Sequence, residues 1–61
     1  MKKQKTTIIR KFMKGEHPFR IIEDDGIFYV EDVEDHGILA SASTEEDAME
    51  EFRETYREIY R

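Results

Sequence analysis

The chain contains no cysteine and no tryptophan, and only one proline and three glycines in 61 residues. Without cysteine there is neither a disulfide framework nor a thiolate metal site to supplement a small core. Stability has to come from apolar packing, and a domain of this length sits near the lower limit for folding unaided. No apolar run approaches the ~20 residues that cross a bilayer as a helix. The basic start is not followed by the apolar stretch of a secretory signal, so a cytoplasmic, soluble chain is expected. Acids are missing from residues 1–14, which hold Lys2, Lys3, Lys5, Arg10, Lys11 and Lys14. All fifteen carboxylates follow, against four arginines, which leaves the remainder at −11 and the whole chain at −5. So acidic a body repels a phosphate backbone and attracts basic proteins.

What is present is enough to fold: 38% hydrophobic residues, with seven aromatic side chains among them. Met1–Lys5 reads as a flexible basic tail of a single domain. Residues 6–42 read as a β-meander of three to four strands. The β-branched run from Thr6 through Met13 favours a strand, and Lys14–Pro18 interrupts it with turn residues. Phe19–Glu23 resumes the extended pattern. Asp25-Gly26 between apolar runs is a strong hairpin signal, followed by Ile27–Val30. A second turn at Glu34–Gly37 precedes Ile38–Ala42.

Residues 44–60 then change period. Ala48, Met49, Phe52, Tyr56, Ile59 and Tyr60 recur at three-to-four spacing, one face of an α-helix. Ser43 with Glu46 offers a capping box, and Thr44 a plain cap. Early acids and late arginines suit the helix dipole, and Glu50–Arg53, Glu54–Arg57 and Glu58–Arg61 can pair on the wet face. The expected class is α+β: an antiparallel meander with one amphipathic C-terminal helix on one face. Both faces of the strands carry apolar side chains, so one face is left bare. In so small a domain a bare apolar face signals a partner or a second copy, and a homodimer is expected.

The segment Phe19–Tyr60 resembles the HicB-like antitoxin family, a truncated ribonuclease-H-like β-β-β-α unit. The likeness rests on Phe19-Arg20-Ile21-Ile22, Asp24-Asp25-Gly26, Ile27–Asp32, Gly37–Ala40, and Thr44-Glu45-Glu46-Asp47-Ala48. It covers about two-thirds of the chain. The sequence departs from the pattern by a longer, proline-free turn after Asp32 and by the preceding strand Thr6–Met13. The family's longer members carry a DNA-binding tail after the helix, and no such tail is expected here. The resemblance implies a non-enzymatic module that covers a small basic toxin.

Catalytic chemistry finds no footing. Asp24, Asp25, Asp32, Glu34 and Asp35 lack calcium-loop spacing, and they serve turns and solubility. His17 and His36 read as exposed loop histidines without a nucleophile in context. Ser41, Ser43 and Thr44 make no nucleophile elbow, and the glycines make no phosphate loop. No metal or other cofactor is expected. The leading functional reading is a partner-binding surface for a basic protein. Exposed carboxylates Glu31, Asp32, Glu34, Asp35, Glu45, Glu46 and Glu50 would surround an apolar anchor, Phe28. A variant is nucleic-acid mimicry by the same acids. The alternative is a nucleic-acid-binding homodimer using Lys2, Lys3, Lys5, Arg10, Lys11 and Lys14.

Overall fold

A computed structural model describes residues 6–60. Strands β1 (Thr7–Lys14), β2 (His17–Asp24), β3 (Ile27–Asp32) and β4 (Ile38–Ala42) precede helix α1 (Glu45–Ile59). The sheet order is β1-β2-β3-β4, antiparallel throughout. This is the α+β meander with a C-terminal helix that the patterning predicts. The tail residues Lys2, Lys3 and Lys5 lie outside the described residues.

Two tight turns set the register. Asp25 and Gly26 both have positive φ, 57° and 81°, the requirement of a type I′ hairpin. Gly26 N–H is capped by Glu23 Oε2 at 2.9 Å. The first turn is shorter than the interruption expected at Lys14–Pro18. Only Gly15 and Glu16 form it, with Gly15 at φ 65°, and His17 and Pro18 already belong to β2. Proline is tolerated inside this central strand because Pro18 lies just beyond the last pair with β3, Phe19↔Asp32. Its carbonyl there accepts Val33 N–H at 3.1 Å.

Alternation then decides which side chains face the helix. Phe19, Ile21, Val30 and Ala40 are buried on one side of the sheet and meet Ala48 and Phe52 of α1. Phe12, Phe28, Met49 and Tyr56 pack around them. Phe52 is the centre of an aromatic cluster, edge-on to Phe19 at 4.8 Å and to Phe12 at 5.5 Å between ring centroids. Each such pair adds about 0.5–1.5 kcal/mol beyond the area it buries. The small Ala40 and Ala48 let the helix backbone lie close to the sheet.

Thr44 caps the helix, its Oγ1 accepting Asp47 N–H at 3.1 Å. At the other end Tyr56 Oη donates to Lys14 O at 3.4 Å and ties the last turns to the first hairpin. A Cβ at Gly15 would lie 3.1 Å from that hydroxyl, whereas a Cβ at Gly26 would meet nothing within 4 Å. Gly15→Ala should therefore lose about 1–3 kcal/mol, from positive φ and from displacing Tyr56. Gly26→Ala should lose less, and urea denaturation of the two variants compares them directly.

Candidate functional site

The helix leaves the other side of the sheet bare, and the register lists what stands there. Ile8, Ile22, Tyr29 and Ser41 form one cross-strand row. Lys11, Arg20 and Glu31 form a second, and Met13 with Pro18 begins a third that Val33 continues. The middle row holds the shortest ion pair described, Arg20 Nε to Glu31 Oε1 at 2.7 Å. Only 28% and 12% of these two side chains are exposed, so water screens the pair less than it would at an open surface. His36 Nδ1 lies 3.7 Å from the second Glu31 oxygen.

The expected set of exposed carboxylates is divided by the fold. Asp32 is buried on the helix side, 6% exposed, which corrects its reading as a surface group. Its Oδ1 accepts the Glu34 and Asp35 amides at 2.9 and 3.2 Å, so it shapes the β3–β4 loop. Its backbone closes the same loop through Gly37 O and His36 N–H. Glu31 is committed to Arg20, and Glu45 is held by Arg10 Nε at 3.0 Å. Glu34, Asp35, Glu46 and Glu50 are exposed as expected. Phe28 is half-buried against the core rather than free to anchor a partner. Alternation explains this: Phe28 shares its face with Val30.

The basic candidates are dispersed. Arg10 turns to the helix side, where it pairs with Glu45 and lies 5.6 Å from the Phe12 ring centroid. Lys14 sits 5.0 Å from the Tyr56 ring centroid, a cation–π contact. Lys11 stands on the opposite face beside Arg20. No single basic stripe results among the described residues.

Comparison with protein-family models, with curated proteins and with solved structures finds no match to this chain. The geometry therefore carries the functional reading.

At the end of the sheet where α1 terminates, His17 is a half-buried strand residue and not the exposed loop histidine expected. Its ring lies 4.4 Å from Tyr60, which lies 4.6 Å from Tyr56. Desolvation raises the Tyr60 phenol above its ordinary value, and the charges of Asp32, Asp35 and Glu34 raise it further. Among the described residues, no three His, Asp or Glu side chains are gathered as a metal ion would need. No described helix is long and apolar enough to cross a membrane.

Two outcomes follow from these contacts. Asp32→Ala should cost about 1–3 kcal/mol by stranding loop amides. Asp32→Asn, which keeps an acceptor oxygen, should cost less, with amide exchange at Glu34 and Asp35 as the local readout. The raised Tyr60 pKa means the fold favours the neutral phenol. That contribution is complete below the unfolded value of about 10 and fades as pH rises through the higher folded value. Tyr60→Phe should flatten the alkaline fall in stability, measured by urea midpoints across that range.

Proposed function

We propose that the protein is a non-enzymatic binding module whose acidic helix surface covers a basic protein. The observation that carries this reading is the outer face of α1. Glu46, Asp47, Glu50, Glu51, Glu54 and Glu58 are all exposed there, against Arg53 and Arg57 alone. Among the described residues, Glu50–Arg53 and Glu54–Arg57 do not close to within 4.0 Å. Among the described residues these carboxylates have no ion-pair partner within 4.0 Å, and the field projects outward from a helix about 22 Å long. Like charges on one helix oppose its formation; the Thr44 cap and the buried Phe52 offset that cost.

The surface differs from the one the sequence suggests. Glu46 and Glu50 remain in it, whereas Glu31, Asp32 and Phe28 serve the fold. Glu34 and Asp35, on the β3–β4 loop, supply a separate acidic cluster. An antitoxin-like role in the cytoplasm, masking a basic toxin, is the form of this proposal that the HicB-like resemblance favours. Binding of nucleic acid is the weaker reading, because Arg10 and Lys14 already have intramolecular partners.

Immobilised protein should capture a basic protein from source lysate at low ionic strength and release it as salt rises. A Glu50→Lys/Glu54→Lys variant, both sites exposed on the helix, should lose most of that capture while keeping its helical circular dichroism. Capture that is insensitive to salt, or undiminished in the variant, would overturn the proposal.

A further inference from the structure

We propose that a second copy of this chain docks on the helix-free face of the sheet, forming a two-fold dimer. This surface is distinct from the helix face assigned above to a basic partner. Its apolar content is high for a face open to water. Met13 is 63% exposed and Ile8 50% exposed; Ile8, Ile22 and Tyr29 form one apolar strip and Met13, Pro18 and Val33 a second, on either side of the Lys11–Arg20–Glu31 row. Ile27 extends the first strip toward the β2–β3 turn. Exposed apolar strips of this kind mark an interaction surface, and sheets pack face to face about 10 Å apart.

Charge selects a second copy as the occupant. The helix side presents six exposed acids and would repel another such molecule. The bare face is balanced, with Lys11 and Arg20 against Asp24 and Glu31. Its middle row runs from cation to anion across three strands, Lys11, Arg20, Glu31. A two-fold axis along the strands reverses that order in the facing copy and sets Lys11 of each chain over Glu31 of the other. The two ends of the row are therefore complementary, as an isologous contact requires, while Arg20 falls on the axis opposite Arg20 of the other copy, each held by its own Glu31. Edge-to-edge pairing through β1 is disfavoured, because a register shift between Ile8 and Arg10 breaks the ladder. Arg10, Lys11 and Lys14 add like charge along that edge.

Sedimentation equilibrium reads the state directly. Wild-type protein should show twice the 7.3 kDa chain mass at micromolar concentration. Met13→Glu and Ile22→Glu should each raise the dimer dissociation constant about 100-fold or more, since either buries a carboxylate in an apolar contact. Met13 is too exposed to support the monomer fold, so its variant should keep native circular dichroism. Ile59→Glu, at an exposed site near the end of the helix, should leave the dimer intact. A monomer mass for the wild type at all concentrations would refute the proposal. So would a dimer that Met13→Glu and Ile22→Glu both leave unchanged, or one that Ile59→Glu disrupts equally. None of these readings depends on whether a basic partner exists.

Discussion

One helix can cover only one face of a four-stranded sheet, and the seat of Phe52 between Phe12 and Phe19 determines which face that is. These rings come from the helix, the edge strand and a central strand, so one cluster joins the C-terminal helix to the first hairpin, remote from it in sequence. Without it the helix would be held mainly by its covalent connection to β4 and by the neighbours of Ala48. A core this small leaves little margin. Among the described residues the buried set is six apolar side chains, where a domain of this size commonly reaches only about 3–5 kcal/mol from its core. Everything on the surfaces, acidic or apolar, depends on that narrow interior.

The division of charge has a structural cause as well as a functional reading. Cations confined to the first strand would be unneutralised if the strand stood alone. Folding places Arg10 against Glu45, Lys14 over Tyr56, and Lys11 beside the Arg20–Glu31 pair. Positive charge is thus drawn into the body of the domain. Beyond Glu45, the helix carboxylates have no comparable sink among the described residues, and their excess remains at the surface. The acid-rich exterior is what the fold leaves over after its internal pairings are made.

The elements were legible because local rules agree with the global fold. The Asp25-Gly26 turn, the three-to-four spacing from Ala48, and the Thr44 cap each state their own structure. The register was legible too: a two-residue turn at positions 25 and 26 sets Arg20 opposite Glu31 and Phe19 opposite Asp32. That counting would have predicted the ion pair and shown that Asp32 shares the buried face of Phe19. The first turn was harder, since Pro18 reads as loop unless the end of β3 beside it is known. Stacking of His17 on Tyr60 joins residues separated by most of the chain, and no local pattern announces it. Of the expected i,i+3 pairs, Glu58–Arg61 lies outside the described residues, and Glu50–Arg53 and Glu54–Arg57 stay open for a different reason: exposed ion pairs gain little over solvation, so spacing permits them without enforcing them.

The strand order repeats the order of the chain, and this has a kinetic consequence. Each strand pairs with its immediate predecessor, so the sheet can grow hairpin by hairpin, and each loop closed is short. Contacts between distant parts of the sequence are reserved for the helix, chiefly Phe52 with Phe12, Tyr56 with Lys14, and Glu45 with Arg10. Entropy therefore concentrates the barrier at docking of the last element onto the first strand. During synthesis the helix also emerges after all four strands. Until it does, the aromatic side of the sheet stands as bare as the opposite one, and the nascent domain is briefly two-faced.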